Sequence, residues 1–154
     1  MNLFETKRLK RSKDKDDVFK YLDARSEKSG FFNTLFDIYI FALALGVKKR
    51  KKSALTGPNS EPIQLVYFTD EQKKYMDMVI IHDSNGNINK LDKADSDNVE
   101  YMLKTIEEFT NGGLEILLRT IENHPENALE QILLLLNDEL TEVIPNEAEE
   151  EITW

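Results

Sequence analysis

The stretch "FFNTLFDIYIFALALGVKKRKK", Phe31 to Lys52, constrains this chain more than any other, because an almost unbroken apolar run ends directly in five basic residues. From Phe31 to Leu45 the strongly polar residues are Asn33, Thr34 and Asp37, all in the first two turns of the helix this pattern predicts. A helix apolar nearly all the way round is either the hub of a core or a membrane span. The 17 residues from Phe31 to Val47 fall short of the roughly 20 needed to cross the hydrocarbon. Asp37 near the middle would add a cost of ~2.5–3.5 kcal/mol there. The pattern therefore predicts a core helix. Gly46 is the expected left-handed cap residue, and Lys48, Lys49, Arg50, Lys51 and Lys52 stand beside the negative end of the helix dipole.

Elsewhere the periodicity predicts further helices. Val18, Phe19, Tyr21 and Leu22 give one amphipathic helix from Asp16 to Arg25, broken at Ser29-Gly30. "IQLVYF", Ile63 to Phe68, is the best strand candidate after the turn-rich "SALTGPNSEP". Thr69 and Gln72 form a capping-box pattern that opens a helix through Ile80, although "MVII" also fits a strand entering a turn at Asn85-Gly86. Ser96 opens a helix carrying Val99, Met102, Leu103, Ile106 and Phe109; Asn111-Gly112-Gly113 is expected to interrupt it before Leu114, Leu117 and Leu118. The last helix is expected to start at Pro125. The fold expected is mainly α, a compact bundle of about five helices with at most one or two short strands.

The formal charge of −9 hides a split: residues 1–52 hold 14 Lys/Arg against 7 Asp/Glu, a balance of +7, and the remainder carries 6 against 22. Residues 1–15 show no apolar period and are expected to be a mobile basic arm, with a single helical domain over 16–137. The acidic segment 138–154 is expected to lack order, with Val143, Ile144, Ile152 and Trp154 able to dock on a partner. There is no cysteine, which excludes disulfides and thiolate metal sites. The first twenty residues lack the features of a secretory signal, so a cytoplasmic location is expected.

No catalytic motif can be written. The loop at Asp83 fails the calcium-loop spacing, His82 and His124 lack metal-ligand spacing, and no phosphate-binding glycine loop exists. Asp37, on the hub helix, must be paired, hydrogen-bonded or exposed. The expectation is a chain without catalytic activity, metal or cofactor. The strongest binding signal is the run Lys48, Lys49, Arg50, Lys51 and Lys52 together with Lys7, Arg8, Lys10 and Arg11. Such clusters bind phosphates by releasing condensed counterions, or dock on an acidic protein surface.

The segments "FDIYIFALALGVKKRKK" and "IEEFTNGGLEILL" carry a resemblance. They are similar to a small family known as DNA phosphorothioation-associated protein four, encoded beside genes that put sulfur into the DNA backbone. The resemblance spans roughly Phe31 to Leu136 and is most specific at Phe41 to Gly46 and at Phe109 to Gly113. It implies a prokaryotic accessory or adaptor protein of an anti-phage defence system, with defence-system subunits as partners and DNA as a further ligand of the basic lobe. The alternative is a DNA-binding transcriptional regulator of such a locus, in which Ile63 to Phe68 supplies the ribbon of a ribbon-helix-helix half. An enzyme using Asp37 or the Asp83 loop is a third reading.

Overall fold

The computed structural model describes residues 1–25 and 32–141, with side chains described to residue 136. Five α-helices occur among the described residues: α1 (Asp16–Leu22), α2 (Leu35–Lys48), α3 (Asp70–Asp83), α4 (Ser96–Asn123) and α5 (Ala128–Thr141). A two-stranded antiparallel sheet pairs β1 (Arg8–Leu9) with β2 (Ile63–Gln64), in the register Arg8 with Gln64 and Leu9 with Ile63. The chain divides into two compact units, residues 1–118 and 119–154.

The hub of the first unit is α2, which buries Ile38, Tyr39, Ala42, Leu43, Leu45 and Gly46. Its N-terminus is fixed at Thr34, whose hydroxyl accepts the Asp37 N–H at 3.1 Å, so the helix starts one turn later than Phe31. Asp37 thereby falls in the first turn, where the helix dipole favours a carboxylate, and it is exposed, accepting a 2.9 Å hydrogen bond from the Gln72 amide. The expected break at Ser29-Gly30 lies outside the described residues. Across that gap, a parallel bridge joins Asp23 to Phe32, with Phe32 N–H donating to the Leu22 carbonyl at 3.1 Å.

Helix α4 runs without interruption through Asn111, Gly112 and Gly113, all buried. The glycines are there for close approach. A Cβ on Gly113 would collide with the Ala42 carbonyl oxygen, one on Gly46 with that of Phe109, and one on Gly112 with that of Lys51. Helices α2 and α4 thus cross backbone to backbone, which only residues without side chains permit. The run expected to break the helix instead forms the contact surface that joins it to the hub.

The opening segment, expected to be a mobile arm, packs on the first unit. Phe4, Leu9, Ser12 and Lys15 are buried. Leu3 N–H donates to the Lys93 carbonyl at 2.8 Å, Leu65 N–H to that of Lys7 at 3.1 Å, and Ser60 N–H to that of Arg11 at 3.0 Å. β2 keeps only two residues of the predicted strand, because Leu65–Tyr67 turns into a 3-10 helix. With β2 paired to β1 of its own chain, the long ribbon of a ribbon-helix-helix half is missing. The capping box at Thr69 forms as expected, with both hydrogen bonds in place. "MVII" is helical, inside α3.

In the second unit α5 begins at Ala128, three residues after Pro125, with Gln131 N–H donating to the Asn127 carbonyl at 3.2 Å. Ala128 and Ile132 are buried, and Leu133 and Leu134 are about half exposed. The acidic segment 138–154, expected to lack order, begins inside α5, which runs to Thr141, and the expectations for its remainder, including Val143, Ile144, Ile152 and Trp154, lie outside the described residues.

Candidate functional site

The basic run is the cap of α2. Lys49 N–H donates to the Leu45 carbonyl at 3.0 Å, Arg50 N–H to Val47 at 3.1 Å, and Lys51 N–H to Gly46 at 2.9 Å. The last two bonds make a Schellman motif, whose pivotal residue adopts a left-handed conformation and is usually glycine. Here that residue is Arg50, with φ of 53°. A left-handed conformation costs an L-residue about 1–2 kcal/mol. Gly46, expected to be the cap, lies inside the helix at the crossing with α4.

Beyond Arg50 the chain is pinned along α4. Ser53 N–H donates to the Glu108 carbonyl at 3.0 Å, and the Asn111 amide reaches the Ser53 and Ala54 carbonyls at 3.2 and 3.3 Å. Lys51 pairs with Glu115 at 3.3 Å, and the Ser53 hydroxyl donates to the same carboxylate at 2.7 Å. The Ser53 hydrogen bond, with that of Lys51, outweighs burial and holds Glu115 below the usual carboxylate range.

The end of α3 is built the same way. Asn85 has φ of 57°; its N–H donates to the His82 carbonyl at 3.3 Å, and Gly86 N–H donates to Ile81 at 2.8 Å. The two caps share an open cleft of about 500 Å³ lined by Val47, Arg50, Lys52, His82, Asp83, Asn85 and Phe109. Lys52 Nζ lies 2.7 Å from Asp83 and 5.0 Å from the centre of the Phe109 ring. The Tyr101 hydroxyl donates to the second Asp83 oxygen. Burial pushes Asp83 upward, but the hydrogen bonds from Lys52 and Tyr101 and the nearby charges of Lys52 and His82 hold it below the usual range. Burial, reinforced by Asp83, pushes Tyr101 up to about 12. Lys52 is therefore held in place, while Arg50 and His82 are exposed.

The other predicted cations go elsewhere. Lys7 lines a groove with Leu3, Ser96 and Glu100, and Arg8 and Lys10 line another with Asp97, Glu100 and Glu107. Lys10 N–H donates to Glu107 at 2.5 Å, and burial pushes that carboxyl above its ordinary range. Arg11 donates to the Glu61 carbonyl at 3.0 Å and stacks 5.0 Å above the Phe19 ring. Neither arm groove shares a residue with the cleft. The structure thus brings Arg50 and Lys52 into one cleft, places Lys51 on Glu115, leaves Lys48 exposed and Lys49 half-buried, and sets Lys7, Arg8 and Lys10, but not Arg11, beside acids of α4. His82, Asn85 and Phe109 were not singled out as ligand-facing residues. Asn85-Gly86 signals a turn locally, but the approach of two helix ends has no local signature.

Among the described residues no group of three or more His, Asp or Glu side chains is placed to hold a metal ion, and no helix is long and apolar enough to cross a membrane. A family model described as DNA sulphur modification system-associated protein 4 matches residues 8–153. No curated protein and no solved structure matches the chain.

Proposed function

Because the chain belongs to the family of DNA sulphur modification system-associated protein 4, we propose that it is a non-catalytic accessory subunit of such a system, an adaptor that docks on the system's other proteins. Family membership over nearly the whole chain carries this reading. In it, Lys48, Lys49 and Arg50 at the end of α2 touch DNA phosphates, and Lys51 and Lys52 are committed to Glu115 and Asp83. The system is prokaryotic and defends against phage, and the protein works in the cytoplasm. A locus regulator is the weaker reading, since β2 is two residues long and paired within its own chain.

The test is co-purification from cells that carry the complete sulphur modification gene set. The tagged protein is expected to bring down one or more of the system's proteins after nuclease treatment. Recovery of the protein alone, from cells in which the system's other proteins are present and soluble, overturns the adaptor reading.

A further inference from the structure

The two helix caps that meet at the cleft differ from ordinary caps in one respect. Arg50 and Asn85, the non-glycine residues with positive φ among the described residues, both line the same cavity. A residue held in a sparsely populated conformation persists where the surroundings over-determine it, and such residues gather at ligand sites. Arg50 is exposed and its side chain makes no ion pair among the described residues, so its guanidinium is available to a ligand. His82 and Asn85 line the same cleft, and Val47 and Phe109 supply apolar wall.

The helix ends themselves would repel an anion, since carbonyls gather at a helix C-terminus. Here the carbonyls of Gly46, Val47, Ile81 and His82 accept cap hydrogen bonds, which partly satisfies them and weakens that repulsion. Asp83, the carboxylate in the lining, is engaged on both oxygens by Lys52 and Tyr101. What the cleft offers a ligand is therefore the guanidinium of Arg50, an imidazole and an amide beside apolar surface, with Lys52 and Asp83 offsetting each other in the wall. From this juxtaposition we infer that the cleft between the ends of α2 and α3 seats one phosphate of a nucleic acid, with Arg50 as its principal donor, Lys52, His82 and Asn85 around it, and the adjoining sugar against Val47 and Phe109.

This deepens the DNA contact proposed above by assigning it a particular seat, separate from the adaptor role. The source of the phosphate is either the backbone of a duplex or the end of a strand. The experiment is a fluorescence-anisotropy titration of short blunt duplexes, with and without 5′-phosphates, across a salt series starting at low ionic strength. Arg50→Gly is the central variant, since glycine suits the left-handed cap and its melting temperature should not fall. It is expected to weaken binding roughly tenfold and to flatten the slope of log affinity against log salt by about 0.9, one phosphate contact. His82→Gln should weaken binding with folding unchanged.

Equal loss with both duplexes assigns the seat to backbone phosphates, and loss confined to the phosphorylated duplex assigns it to a strand end. Unchanged affinity and slope in Arg50→Gly overturn the inference, and so does a wild-type protein that binds neither duplex at the lowest salt. If Lys48→Gln with Lys49→Gln lowers binding while Arg50→Gly does not, DNA contact stands and the cleft is excluded. Loss of a co-purifying protein from Arg50→Gly, with DNA binding intact, makes the cleft a protein-docking site and overturns the phosphate assignment without touching the adaptor reading.

Discussion

Arg50 illustrates how one residue's role depends on a demand placed on another. The sequence offers Gly46 as the cap of α2, yet the crossing with α4 requires a residue without a side chain at that position, so the helix continues and the left-handed turn falls to Arg50. The need for a glycine was legible, but which of two needs it met was not, because a close approach between distant helices leaves no local trace. Asp83 was equally opaque: a loop carboxylate on the page, it is the anchor of Lys52 and Tyr101 in space. Its folded pKa is lowered, so the stability it contributes is fully present above its ordinary value of 3.8 and is lost as pH falls through the lower folded value. Asp83→Asn is expected to cost about 1 kcal/mol near neutral pH, discounted because Lys52 is partly exposed. Paired urea titrations should show the difference between wild type and variant shrinking as the pH drops below that value. A difference that stays constant with pH would mean that the carboxylate's charge is not what Lys52 and Tyr101 hold.

At the scale of elements, helix existence was legible where the apolar period was strong. α1, the hub of α2, the capped start of α3 and the Ser96 start of α4 all follow from spacing and cap residues. Element ends and interruptions were less legible, because Gly and β-branched residues signal both local bends and tertiary demands. Asn111-Gly112-Gly113 carries the composition of a break and serves as a helix–helix contact; "IQLVYF" carries the composition of a strand and turns after two residues. Gly113→Ala tests the contact. Overpacking ordinarily costs about 1–3 kcal/mol, and a Cβ here meets backbone that cannot rotate away, so the loss should reach the upper part of that range or exceed it. Chemical denaturation reads it directly. A variant as stable as wild type would mean that the helices do not touch at this point.

At the largest scale, the charge split in the sequence is partly undone in space among the described residues of the first unit. The arm that contributes Lys7, Arg8 and Lys10 lies along acids of α4, so the +7 balance of residues 1–52 is partly offset where it sits. The order of this arm was hidden because its buried residues, Phe4, Leu9, Ser12 and Lys15, follow neither the helical nor the strand period. Phe4→Ala should therefore destabilise the protein by about 3–5 kcal/mol, seen as a lower melting temperature; no change would restore the free arm. The crossing of α2 with α4 also sets a schedule for the newborn chain. Gly46 leaves the ribosome 67 residues ahead of Gly113, the residue whose backbone it must meet. At a synthesis rate of about 5–20 residues per second, the apolar helix α2 waits several seconds for its counterpart, an interval in which the surface it later buries against α4 is open to aggregation.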